Sequence, residues 1–141
     1  MAPSKRRLLA LRPLETGTTT MKHCLVVDDS DVIRKVARRI LESMDFAVAE
    51  ASNGPEAIER CQQQTPDAIL LDWQMPLMSG LEFLGSLRLA KLDRKPFVIY
   101  CTTENDPSDL ARAFAAGADD YLLKPYDRES IEAKLIDGGL R

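Results

Sequence analysis

Five side chains in this sequence could do phosphoryl chemistry together: Asp28, Asp29, Asp72, Thr102 and Lys124. All stand at or just after a short apolar run, Cys24–Val27, Ala68–Leu71, Pro96–Cys101 or Asp120–Leu123. If those runs are neighbouring parallel strands, their C-terminal ends share the edge where open α/β sheets bind ligands. Three carboxylates converging there would repel one another, so either a proton is retained or a cation is held between them. Donors that are all oxygen, with no His or Cys, point to a hard divalent ion, and Mg²⁺ fits best. A carboxylate beside such an ion, a lysine and a hydroxyl is suited to nucleophilic attack on phosphorus. Mg²⁺ and Lys124 would neutralise the transferring oxygens, and Thr102 could donate a hydrogen bond. Singly, each residue has a plainer account: an acid pair caps a helix, and a strand-end Thr or Lys is solvated. The joint pattern carries the argument.

The elements that must position them alternate regularly from Lys22 onward. Cys24–Val27 reads as a buried strand, with Ser30 or Asp29 capping the helix after it. Val32, Ile33, Val36, Ala37, Ile40, Leu41 and Met44 form its apolar stripe, with Arg34, Lys35, Arg38 and Arg39 mostly toward water. Phe46–Glu50 reads as an edge-like strand. Asn53-Gly54-Pro55-Glu56 opens a second helix, with Pro near its first turn and Ala57, Ile58 and Cys61 inward. The third strand, Ala68–Asp72, is bounded by Pro66-Asp67 and Met75-Pro76 and reads as fully buried. Gly80 follows in a turn, and Leu81, Leu84 and Leu87 mark a third helix. Pro96–Cys101 is the fourth strand, and Asp106-Pro107 opens a fourth helix that stops at Gly117. Asp120–Leu123 is the fifth strand, and Asp127 caps a last helix to about Asp137. Five strand–helix repeats imply a doubly wound five-stranded parallel sheet with right-handed crossovers, a three-layer α/β/α fold.

Composition agrees with one domain. The 141 residues are 45% hydrophobic and 29% charged, ordinary values for a globular chain. No apolar run reaches the roughly 18–20 residues that cross a bilayer, so membrane insertion is not expected. Net charge is −3, yet residues 1–20 hold four cations against Glu15, a net +3, leaving −6 on the rest. An acidic body argues against nucleic-acid binding. The basic segment 1–21 is expected to be a disordered extension, with Met21 as the natural start, and 22–141 to form the domain. Cys24, Cys61 and Cys101 are scattered and fit buried thiols in a reducing, cytoplasmic setting. His23, the sole histidine, has no Cys or Ser partner nearby, and Lys91 and Arg94 read as solvated charges.

The set Val27-Asp28-Asp29, Leu71-Asp72-Trp73-Gln74-Met75-Pro76 with Gly80, Thr102 and Lys124-Pro125 resembles the receiver domain of two-component response regulators over about residues 22–137. Asp72-Trp73-Gln74-Met75-Pro76, Thr102-Thr103-Glu104 and Ala116-Gly117-Ala118 resemble the stand-alone chemotaxis regulators of the CheY type more closely. The resemblance implies the flavodoxin-like, CheY-like (βα)5 fold. It also implies that Asp72 accepts a phosphoryl group from a histidine kinase or phosphotransfer protein, and that Asp28, Asp29, Asp72 and the Gln74 backbone carbonyl hold Mg²⁺. By the same resemblance Thr102 moves toward the phosphoryl group and Lys124 pairs with it. Tyr121 turns inward as the aromatic switch, which changes the face of the last two helices and last strand where a target protein binds. Lys124-Pro125 is implied to be cis.

Gln74 and Glu104 are expected to tune the phosphoryl lifetime, although Gln74 is one methylene longer than the asparagine usual in that subgroup. Tyr126 replaces the more usual phenylalanine after Lys-Pro. With four residues after the last helix, output is expected through protein contact. A phosphorelay shuttle or phosphate sink is the alternative, and an adaptor that no longer signals is the third possibility. A haloacid-dehalogenase phosphatase would want an acid where Gln74 stands. A flavodoxin-type cofactor loop would not place Asp28-Asp29 against a phosphate.

Overall fold

The computed structural model describes residues 21–103 and 106–141. The expectations placed on residues 1–20 and on Glu104 therefore lie outside the described residues. Strands β1 (His23–Val27), β2 (Ala47–Ala51), β3 (Ala68–Asp72), β4 (Phe97–Thr102) and β5 (Asp120–Leu123) alternate with helices α1 (Asp31–Glu42), α2 (Gly54–Gln63), α3 (Gly80–Leu89), α4 (Pro107–Ala116) and α5 (Arg128–Asp137). The sheet is parallel throughout, in the order β2-β1-β3-β4-β5. The strand order reverses between β1 and β3, the crevice where ligands sit in folds of this kind.

Successive side chains of a strand point to opposite faces, so each central strand feeds two cores. Cys24, Val26, Ala68, Leu70, Ile99 and Cys101 pack with Leu41 of α1 and with Ile131 and Leu135 of α5. Leu25, Val27, Ile69, Leu71, Val98 and Tyr100 pack with Cys61 of α2, Phe83 of α3 and Ala113 of α4. Burial pushes the Cys24 thiol up to about 12 and the Cys61 thiol up to about 11. All three cysteines are free and buried, which suits a packing role.

Every helix begins on a capping side chain: Ser30, Asn53, Ser79, Asp106 and Asp127 each accept a backbone N–H of the first turn, satisfying donors that would otherwise be orphaned. Ser30, rather than Asp29, caps α1, which leaves the Asp29 carboxylate for the sheet edge. Gly80 belongs to the first turn of α3 rather than to a free turn. Gly117 ends α4 at φ 122°, a backbone region that L side chains rarely adopt.

The α1 stripe is narrower than its spacing predicts. Val32 and Val36 are 71% and 46% exposed, while Ala37, Leu41 and Met44 are buried. The helix is rolled because Arg34 and Arg38 are not left in water: their Nε atoms donate to Glu50 of edge strand β2 at 3.0 and 2.7 Å. Desolvation acts to raise the Glu50 pKa, but the two guanidinium bonds outweigh it and hold the carboxyl below its ordinary value. A depressed carboxylate contributes stability that is present above its unfolded pKa and lost as pH falls through the folded value. Glu50→Gln is therefore expected to cost about 1–2 kcal/mol at pH 7. That difference should shrink below about pH 4.3, measured by urea unfolding of both proteins across pH. Arg94 is likewise tied in, donating to the Thr65 carbonyl at 2.8 Å and pairing with Asp67 at 3.2 Å; its side chain is half-exposed, so only its guanidinium departs from the solvated reading.

Candidate functional site

The strand-end residues meet at one edge, each tied there by the backbone. The Asp28 N–H donates to the Ala51 carbonyl at 3.1 Å, the Trp73 N–H to Cys101 at 3.0 Å, and the Lys124 N–H to Thr102 at 2.8 Å. These bonds carry the sheet ladders one residue past the strands. Gly80 lets α3 begin against the end of β3: a Cβ there would lie 3.2 Å from the Asp72 carbonyl oxygen and 3.3 Å from that of Trp73.

Carboxylate atoms of Asp28, Asp29 and Asp72 lie within 4.8 Å of one another. Asp28 and Asp72 are buried and Asp29 is exposed. Lys124 Nζ donates to Asp28 Oδ2 at 2.7 Å and to Asp72 Oδ1 at 2.8 Å. Asp28 is held on two further sides: its Oδ1 accepts the Ser30 N–H at 2.9 Å, and its carbonyl accepts Arg34 Nη1 at 2.6 Å. Asp29, Asp72, Trp73, Gln74, Thr102 and Thr103 line a cleft of about 300 Å³ over this cluster.

One ammonium shared by two carboxylates sets the electrostatics. Burial pushes the Asp72 carboxyl above its ordinary range, and Asp28 and Asp29 act in the same sense against the Lys124 bond. Burial alone would lower Lys124, but its bonds to Asp28 and Asp72 prevail and hold it protonated. Three acids against one lysine leave negative charge for a cation, and every side-chain donor is oxygen. That set fits Mg²⁺, which takes one or two carboxylates and keeps several waters; Asp28, Asp29 and Asp72 are the side chains that could hold it.

A larger groove, of about 560 Å³, lies away from this edge among Leu84, Leu87, Leu92 and Val98. Its rim cations are engaged with the protein: Arg88 donates to the Ala115 and Ala116 carbonyls, Arg94 to Thr65, and Lys95 approaches Asp119 at 4.0 Å. The smaller cleft holds the reactive groups, and volume is the poorer guide here.

The sequence expectations for Asp28, Asp29, Asp72, Thr102 and Lys124 are met in placement: all five stand at the one edge. The Lys124-Pro125 peptide is cis. Tyr121 is half-buried, edge-on to Phe114 with ring centroids 6.3 Å apart, and Lys134 Nζ lies 4.8 Å from its ring centre. Two residues gave no signal in the sequence. Arg34 reads there as a water-facing charge, yet it braces the Asp28 backbone; its spacing within the helix resembles that of any surface arginine. Tyr100 reads only as part of a strand, yet it packs edge-on against Trp73 at 5.2 Å.

Residues 24–136 match the family model described as the response regulator receiver domain. The chain belongs to that family. It is 35% identical over 117 residues to the chemotaxis protein CheY of Halobacterium salinarum, a match covering 82% of this chain and 95% of the relative. It is 32% identical over 114 residues to the phosphate regulon transcriptional regulatory protein PhoB of Escherichia coli, covering 81% of this chain but 50% of that protein. Among solved structures it resembles the receiver domain of the sensor histidine kinase PA1611 of Pseudomonas aeruginosa, at TM-score 0.76 and 27% identity over 84% of this chain and 97% of that one. The PA1611 receiver has a magnesium ion coordinated in its active-site cleft. The receiver described here thus has the CheY-like parallel sheet that its strand–helix rhythm implied. Among the described residues no helix is long and apolar enough to cross a membrane.

Proposed function

We propose that this receiver is a phosphorylation-gated switch in which Asp72 accepts a phosphoryl group from a histidine kinase or phosphotransfer protein and thereby changes binding to a target protein. One observation carries the proposal: Asp72 is a buried strand-end carboxylate, bonded to a lysine that Asp28 shares, in a cleft lined by Thr102. An Asp72 carboxylate oxygen attacks phosphorus, an O–P bond forms, and the N–P bond of the phosphohistidine breaks with its electron pair going to the imidazole nitrogen. Lys124 neutralises an oxygen of the transferring group, and the Thr102 hydroxyl donates to another. Mg²⁺, when bound, supplies the remaining positive charge to those oxygens. Water attack on the same phosphorus returns aspartate and phosphate, and Gln74, which lines the cleft, would orient that water.

Output runs through the face of α4, β5 and α5. Phe114, Leu123 and Ile136, one from each element, are 42%, 41% and 53% exposed, and exposed apolar side chains of this size suit a protein partner. The 35% identity to a chemotaxis CheY supports a chemotaxis or motility target. The experiment is adduct mapping: incubation with acetyl phosphate and Mg²⁺, borohydride reduction and peptide mass spectrometry. The expected label falls on Asp72 and is lost with EDTA; a label on another residue, or one indifferent to EDTA, would contradict the proposal.

A further inference from the structure

Tyr100 carries the sole buried side-chain N or O atom without a hydrogen-bond partner among the described residues: its hydroxyl. The residue is 1% exposed, and an unpaired buried hydroxyl is costly enough that native folds rarely keep one. Its surroundings give the orphan a purpose. Tyr100 lies in register with Tyr121 on the parallel pair β4–β5, so the two side chains share a face of the sheet. On the opposite side it meets Trp73, the neighbour of Asp72. Above it packs α4, whose Leu110 and Ala113 belong to the same core. Asp109 stands one helical turn before Ala113 and so on the same side of α4. In this conformation Asp109 is paired with Arg112, with side chains 23% and 58% exposed, so water screens the pair from the arginine side.

We propose that Tyr100 is a positioning residue that links the acceptor to α4: when the switch operates, its hydroxyl donates to the Asp109 carboxylate, a bond absent from the conformation described. Thr102 ends β4 and α4 opens at Pro107, so the strand that carries Thr102 and the helix that carries Asp109 follow one another in the chain. The switched form gains a hydrogen bond to a charged acceptor while the other form leaves a buried donor unmatched. That one difference favours the switched form, against the Asp109–Arg112 pair that competes for the carboxylate. Asp109 is also the charge that acts most strongly on Tyr100 after burial itself.

The inference rests on the phosphoacceptor reading of Asp72, and the test separates the two. Wild type, Tyr100→Phe, Asp109→Ala and the double variant are melted with and without Mg²⁺ and beryllofluoride, a mimic of the bound phosphoryl group, and mimic affinity is titrated through Trp73. Without the mimic, Tyr100→Phe should melt at or above the wild-type temperature, because the orphan is gone. With it, each single variant should bind about five- to tenfold more weakly, and the double variant no more weakly than the worse single. Equal mimic affinity in wild type and Tyr100→Phe would overturn the link alone, as would additive losses in the double variant. A Tyr100→Phe melting loss of the same size in both conditions would also overturn it, since the hydroxyl would then hold a constant partner such as a buried water. No mimic response in wild type would overturn the acceptor reading and this inference with it.

Discussion

Lys124→Ala will lower the stability of the metal-free receiver by about 3–5 kcal/mol, the cost of breaking a buried ion pair from one side. Lys124 is 11% exposed, and its partners Asp28 and Asp72 are 4% and 11% exposed, so water replaces the lost ammonium only in part. The loss has a definite pH signature. Without Lys124 the Asp72 carboxyl loses the bond that opposes its burial, and its folded-state pKa, already raised, rises further. Such groups destabilise when ionised and cease to do so when protonated, so the deficit should be largest at neutral pH and shrink as pH falls. Mg²⁺ should restore part of the stability, because a cation replaces the missing charge. Phosphorylation by acetyl phosphate should still fall about 100-fold or more, since the lysine also serves the transferring oxygens. Urea unfolding with and without Mg²⁺ checks the first claim, and the initial rate of adduct formation checks the second. A variant as stable as wild type without metal would show that the shared ion pair is not what holds the two acids together.

Asp28→Asn tests the metal set. The amide oxygen can still accept the Ser30 N–H that Asp28 Oδ1 accepts at 2.9 Å, and the Arg34 bond goes to the backbone carbonyl. The Ser30 and Arg34 contacts should therefore survive, while the Lys124–Asp28 bond and one of the three negative charges are lost. Mg²⁺ affinity is expected to fall at least about 100-fold, the upper end of what losing even an outer partner of a metal site costs. Because Lys124 then bonds to Asp72 with less competition, the Asp72 carboxyl should move down from its raised value. Magnesium titration of Trp73 fluorescence reads the affinity, and the pH dependence of the same signal reads the acid. Unchanged Mg²⁺ affinity would remove Asp28 from the metal set.

The fold was legible because each signal was local. Apolar runs ending in Asp72 or Asp28-Asp29, caps such as Asn53 and Asp127, and Gly117 after α4 mark element ends from within a few residues. The acidic edge was legible for a different reason: a parallel sheet necessarily aligns the ends of its strands. What the sequence concealed depends on contacts between distant elements. Val32 and Val36 continue the α1 stripe by spacing, yet α1 is turned by Glu50 on β2. Arg34 resembles its solvated neighbour Lys35 until the Asp28 carbonyl is placed beside it. Tyr100 is one apolar-run residue among six in β4, and nothing in the run reveals that its hydroxyl will be left unpaired under α4. Arg94 looked like a loop charge, because the Thr65 carbonyl it meets belongs to the loop before β3, distant in the chain.

The most direct test of the central claim uses Trp73, the one tryptophan in the chain, half-buried and lining the cleft beside Asp72. Its fluorescence is followed while Mg²⁺ and then acetyl phosphate are added to wild type and to Asp72→Asn. A Mg²⁺ response in wild type, then a further change with the donor that decays after the donor is removed and is missing from Asp72→Asn, is the predicted result. A donor-dependent change of equal size in Asp72→Asn would contradict the account, because the phosphoryl group would then be carried elsewhere.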